Sequence, residues 1–144
     1  MPNRPVSEVI EKKSFPTASA TTTVRAIAKI MKESHSSAVL IVEKHVLTGI
    51  CTERDIVFGA VAAGLDLENS QVSTIMTRKV QTIAPDKPFG HALHMMYEGG
   101  FRHIPVVDPA GHPLGLIAAH DALDIDGLQL EQDLVRREEI TVIL

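Results

Sequence analysis

The chain of 144 residues carries 14 Lys and Arg against 18 Asp and Glu, a formal net charge of -4, with 44% hydrophobic residues. A domain of this size removes roughly 70% of its unfolded surface from water, so a real core is within reach. The slight acidity argues against non-specific nucleic-acid binding, which needs a basic face to displace counterions.

The longest plainly apolar run, Ala38 to Val42, is far short of a membrane span. Met1 to Pro5 lacks the apolar stretch of a secretory signal, so a cytoplasmic protein with no membrane partner is expected. The single cysteine, Cys51, precludes an intramolecular disulfide; between Ile50 and Thr52 it reads as a buried small hydrophobe.

Along the chain the pattern occurs twice, at a period of about 65 residues. A short signature opens each copy, Val6-Ser7-Glu8-Val9-Ile10 and Val72-Ser73-Thr74-Ile75-Met76, and Thr17 answers Thr82. Val24, Ile27, Ala28, Ile30 and Met31 then form the apolar stripe of an amphipathic helix, answered by Phe89, Ala92, Leu93, Met95 and Met96. A β run follows each helix, Ala38 to Val42 and Ile104 to Val107, closed by Glu43 or Asp108 and a turn. The second turn, Pro109 to Pro113, carries the stronger turn chemistry. A second strand leads into Gly49-Ile50-Cys51-Thr52-Glu53-Arg54-Asp55 and its answer Gly115-Leu116-Ile117-Ala118-Ala119-His120-Asp121, and a helix is expected after each.

Each half therefore reads strand, helix, strand, strand, helix, an α/β chain of the α+β type. The predicted division is repeat one over 1–65, repeat two over 66–123, and a polar helix with an apolar tail over 124–144. The strands are too continuously apolar to stand half-exposed, so helices should cover at least one face. Two halves packed face to face bury what either alone leaves bare. Pro105 cannot donate to a ladder, so its strand is predicted to be an edge or bulged, leaving backbone groups for a ligand.

Gly49-Ile50-Cys51-Thr52-Glu53-Arg54-Asp55-Ile56 and Gly99-Gly100-Phe101-Arg102-His103-Ile104-Pro105-Val106-Val107-Asp108, in two tandem copies, resemble CBS domains, the paired Bateman modules. The resemblance covers residues 6 to about 123. It implies β-α-β-β-α repeats in a pseudo-symmetric pair, a homodimer, and up to two clefts for adenosine-containing ligands such as AMP, ADP or ATP. The implied role is regulation of an unidentified protein target, without catalysis, metal or cofactor. The first cleft would use Ile50, Thr52 and Asp55, with Val80 and Gln81 beside the base and Phe101, Arg102 and His103 near sugar and phosphate. The second cleft, at Phe15, Ser37 and Asp121, departs from the pattern. Ala118 replaces the hydroxyl residue, and Ser36, Ser37 and Ala38 replace Phe101, Arg102 and His103, so it should stay empty or take an uncharged adenosine-like group weakly.

The chemistry stands beside the resemblance. A carboxylate such as Asp55 can accept both ribose hydroxyls, and Thr52 at a helix opening sits near N–H groups that favour phosphate. Arg102 offers paired hydrogen bonds to phosphate, with His103 adding a charge-assisted one. Thr52-x-x-Asp55 equally fits a helix capping motif, and Arg102 and His103 could instead pair with Glu98 or Asp108. Arg54 could touch phosphate or bridge subunits, and equally reads as a solvated helix face. His91 and His94 have a spacing that could chelate metal, but with no cysteine near and no carboxylate on that face at ligand spacing they too read as solvated. No G-x-S-x-G, P-loop or H-E-x-x-H occurs. A ligand-free structural or oligomerisation module with vestigial clefts is the alternative from another class, and a redox or metal sensor using Cys51 and the histidines is a third.

Overall fold

The computed structural model describes residues 4–123; residues 1–3 and 124–144, including the expected C-terminal helix and tail, lie outside the described residues. Helix α1 (Val6–Ile10) comes first, then strand β1 (Thr17–Ala18) and helix α2 (Val24–Ser34). Thr23 caps α2 by accepting the Ala26 N–H, 3.2 Å. Its stripe of Val24, Ile27 and Met31 is buried, as the spacing predicts. His35 closes the helix in the left-handed region (φ 52°), and Gly100 (φ 69°) closes the matching helix α3 (Phe89–Gly99) in the same way.

Strand β2 (Ala38–Glu43) pairs antiparallel with β3 (Val46–Thr52) across a two-residue turn, Lys44-His45, with both φ positive. β1 adds in parallel to β2, giving the order β1-β2-β3. In the second half, β4 (His103–Val107) pairs antiparallel with β5 (Pro113–Ala118). The longer turn between them is held by Asp108, whose Oδ1 accepts the N–H groups of Ala110 and His112.

The strand expected near Thr82 does not form; it shrinks to a single parallel bridge, Ile83 to Val106. Pro105 is the reason. In the first half the Leu40 N–H donates to the Pro16 carbonyl, 3.0 Å. The residue matching Leu40 is Pro105, which has no N–H to give, so the ladder loses that rung. No donor among the described residues reaches the matching Gln81 carbonyl.

The helix after β3 is a π-helix, Asp55–Val61, with the wide i to i+5 pattern seen from Ala62 N–H to the Val57 carbonyl, 2.9 Å. After β5 a helical turn starts at Asp121.

The two halves exchange their openings. Helix α1 belongs in sequence to the first copy but packs on β5 and α3. Val6 and Ile10 lie in one core with Ile83, Phe89, Ala92, Met96, Ile104, Val106 and Ile117. Reciprocally, Val72 and Met76 enter the core of Ile27, Met31, Val39, Ile41 and Cys51. Backbone bonds seal both exchanges: Val6 N–H to Lys87 O at 2.8 Å, and Val72 N–H to Thr22 O at 2.7 Å. A third core of Ala38, Leu40, Ile50 and Leu116 joins the sheets. β2 is thus buried on both faces, which explains its unbroken apolar run.

Candidate functional site

Two clefts flank the central core. The first, of about 680 Å³, is lined by Ile50, Thr52 and Asp55 from the end of β3 and the π-helix. Facing them are Val80 and Gln81 from the stretch before α3, and Phe101, Arg102 and His103 at the start of β4. The structure therefore brings all eight first-cleft residues of the sequence reading to one cavity. It also brings Arg54, one of whose expected roles was a phosphate contact, and adds Phe58 and Lys79, which that reading did not place there. Arg54 is exposed, as a solvated face would be, and its guanidinium lies 5.5 Å from the centroid of the exposed Phe58 ring beside the cleft.

Thr52 and Asp55 cap each other. The Asp55 Oδ2 accepts the Thr52 N–H at 3.0 Å, and the Thr52 hydroxyl accepts the Asp55 N–H at 3.2 Å. The capping alternative is realised, yet it engages only one carboxylate oxygen; Oδ1 has no hydrogen-bond partner among the described residues. Arg102 is exposed and makes no ion pair among the described residues. The acids the sequence offered it are used elsewhere: Asp108 meets His112 at 3.0 Å, and Glu98 meets His94 at 3.0 Å, so that helix face does carry a carboxylate, contrary to expectation, although no three ligating groups cluster among the described residues.

His103 departs from its expected role. Burial, reinforced by the nearby positive groups His120, Lys13 and Arg102 and opposed by Asp121, pushes its pKa down to about 4. The imidazole is neutral at pH 7, and its Nε2 lies 2.6 Å from the Ser37 hydroxyl. A neutral imidazole offers no charge-assisted bond, so Arg102 is the cation among the first-cleft residues of the sequence reading. Cys51 is fully buried, and desolvation together with the Asp55 charge pushes its thiol up to about 12, so it packs as a small hydrophobe.

The second cleft, of about 630 Å³, is lined by Ser37 but not by Phe15 or Asp121. Phe15 packs instead against the central core. Asp121 is buried, its Oδ2 accepting the Ala118 N–H at 2.8 Å and the Lys13 ammonium at 2.5 Å. Cations absent from the expected positions arrive from others: Lys13 and Lys32 line this cleft, with His120 beside them. Sequence reading missed Lys13 because the partner lies more than a hundred residues away; both lysines fall on positions with no counterpart among the motif residues. Ser37, Glu53 and His103 line both clefts and form the wall between them.

Comparison with known proteins places this geometry. The CBS domain family matches twice, over residues 6–61 and 72–127. A CBS domain-containing protein of Arabidopsis thaliana is 37% identical over 99 residues, which is 69% of this chain and 18% of the plant protein. An uncharacterized protein of Methanopyrus kandleri is 32% identical over 81% of this chain and 60% of its own length. The chain thus spans less than two thirds of these curated relatives. Among solved structures, the CBS domain pair of protein MJ0100 in complex with 5'-methylthioadenosine and S-adenosyl-L-methionine superposes with a TM-score of 0.79, 27% identical, over 89% of this chain and 99% of that one. A CBS-domain containing protein from Agrobacterium tumefaciens superposes with a TM-score of 0.77 at 25% identity, over 85% of this chain and 98% of that one.

Proposed function

Because the chain belongs to the CBS-domain family and carries two CBS domains in tandem, we propose that it is a regulatory module binding one adenosine-containing ligand in the first cleft. The observation that carries this reading is the convergence on one cavity of Asp55, Arg102 and Gln81, whose Oδ1, guanidinium and carbonyl have no ion-pair or hydrogen-bond partner among the described residues. Each suits a different part of such a ligand. The carboxylate oxygen accepts from ribose hydroxyls, the guanidinium takes phosphate or carboxylate in paired bonds, and the carbonyl accepts from an exocyclic amine. Val80 and Ile50 supply the apolar walls for the base. The complex of protein MJ0100 with two adenosine derivatives supports the ligand class for a 27% identical relative. Which ligand, AMP, ADP, ATP, NAD or S-adenosylmethionine, is a question of the groups beyond the ribose. A homodimer, a cytoplasmic location, a protein target and the absence of catalysis are part of the same proposal.

Occupancy regulates only if the ligand prefers one arrangement of the module over another. The Ser37–His103 wall is the part of the cleft that also faces its neighbour, so it is where such a preference would be transmitted. Calorimetric titration of nucleotide-stripped protein with AMP, ATP, NAD and S-adenosylmethionine tests the reading. The expected result is saturable binding at one site per chain, abolished by Asp55→Ala. Arg102→Ala should weaken AMP and ATP by about tenfold to a hundredfold, the loss of a charge-assisted pair. Absence of heat and of thermal stabilisation with all four would leave a ligand-free structural module.

A further inference from the structure

The two clefts are related by the internal repeat, yet their acids differ in what they touch. Asp55 lines the first cleft with one carboxylate oxygen free. Its counterpart Asp121 is withdrawn from the second cleft, 5% exposed, and Lys13 lines the cavity in its place. The Lys13 ammonium lies 2.5 Å from the Asp121 Oδ2 and also donates to the Leu116 carbonyl at 3.1 Å. Oδ2 accepts the Ala118 N–H as well, so the acid is held from two sides.

The repeat supplies an internal control. Lys79 stands in the second copy where Lys13 stands in the first, and it lines the first cleft. Among the described residues no hydrogen bond or ion pair joins Lys79 to Asp55. The same residue type at the same place in the repeat therefore satisfies one acid and leaves the other open. The burial of Asp121 accounts for the difference in kind. A carboxylate that far from water requires a cation or several donors, whereas the half-buried Asp55 does not.

We propose that Lys13 is a built-in occupant of the second cleft, holding the Asp121 carboxylate that a ribose diol would otherwise engage and so limiting the chain to one adenosine-containing ligand. This rests on the reading of the first cleft as the adenosine site. Lys13 is on this account the residue that sets stoichiometry. Ala118, which lacks the hydroxyl of Thr52, is secondary to it. Nothing about the second cavity's size forbids a nucleoside, since at about 630 Å³ it nearly equals the first.

Calorimetric titration with adenosine and with AMP, on wild type, Lys13→Met, Asp55→Ala and the double variant Asp55→Ala/Lys13→Met, separates the possibilities. The expected result is one site in the wild type, two in Lys13→Met, none in Asp55→Ala, and one restored in the double variant. Because Lys13→Met leaves a buried carboxylate with one fewer partner, Lys13→Gln is run beside it; it keeps an uncharged donor near the Leu116 carbonyl, and thermal melting checks that each variant folds. One site in the wild type and still one in the folded Lys13 variants overturns the role of Lys13 while leaving the first-cleft reading intact. Two sites in the wild type overturn it as well. Binding only in the Lys13 variants upholds the role of Lys13 and overturns the first-cleft reading, and no binding in any variant overturns both.

Discussion

A Cβ built on Gly115 would stand 2.6 Å from the Ile10 Cδ1 and 2.7 Å from its Cβ, so this glycine is the seat on which helix α1 docks. The matching Gly49 is less tightly held: its Cβ would meet the flexible Met76 sulfur at 2.9 Å and the Thr77 carbonyl at 3.0 Å. Gly115→Ala is therefore expected to destabilise by about 2 kcal/mol through overpacking. Gly49→Ala should cost less, because a methionine repacks easily; urea denaturation of both variants reads the difference. His103 sets a second expectation. Its imidazole titrates near 6.5 when unfolded, and burial holds it down to about 4 in the folded chain. Between those values the unfolded chain binds more protons than the native one. Its contribution is thus complete above pH 6.5 and is lost as pH falls toward 4, an effect of about 3 kcal/mol. Stability of wild type and His103→Gln at pH 7, 5.5 and 4.5 checks this, the variant losing that part of the slope. Parallel profiles would assign the acid sensitivity to other groups. None of this was legible from the sequence, where His103 reads as a cation beside Arg102. Its charge is decided by burial and, after it, by His120 and Lys13, which the fold brings from elsewhere.

At the scale of an element, Pro105 turns a three-stranded sheet into a two-stranded one and leaves a bare carbonyl at Gln81. A proline in a β run is visible in the sequence, and so is the consequence that backbone groups are released. Which group is released follows only from the register, through the Leu40 N–H to Pro16 bond of the other half. Pro105→Ala restores the missing donor, and the new N–H is expected to close on the Gln81 carbonyl. If that carbonyl reads the ligand's exocyclic amine, affinity should fall by about tenfold, one ordinary hydrogen bond, with Asp55 dependence unchanged. Inosine-based ligands, lacking the amine, should bind the wild type and Pro105→Ala equally. Unaltered affinity for the adenine ligand would place its recognition elsewhere. The first cleft was readable to this degree because its residues cluster in two short motifs, around Thr52–Asp55 and Phe101–His103, each placed by one strand end. The second cleft was misread in part because Phe15 and Asp121 were placed by analogy with the first. Burial draws Asp121 out of that cavity toward Lys13, and Phe15 joins the central core.

On the scale of the whole chain, the repeat predicted two like halves, and the helical stripes and β runs fell where periodicity put them. Their mutual dependence was not visible. Val6 and Ile10 are spaced to bury one side of a single turn, but nothing in five residues says which core receives it. The structure gives α1 to the second half and Val72 and Met76 to the first. Each half therefore lacks part of its own core, and three isolated bridges cross between them among the described residues, Pro5 with Pro88, Thr23 with Gln71 and Ile50 with Thr77. Fully burying a Val, Ile or Met side chain is worth about 1.5–3 kcal/mol. Losing two such residues removes a large share of the stability a small domain holds, about 5–15 kcal/mol in total. Fragments 1–65 and 66–144 are accordingly expected to be unfolded alone, and the intact chain to melt in one transition. Circular dichroism and urea titration followed by two independent probes test this, with Val6→Ala and Val72→Ala as reporters. Because the cores are exchanged, Val6→Ala, a change in the first copy, should loosen the amides of α3 and β4, and Val72→Ala those of α2 and β2. Hydrogen exchange reads that crossing directly. Loosening confined to the copy that carries the substitution would mean that each repeat is stable by itself and that the exchanged helices are only an ornament on two independent cores.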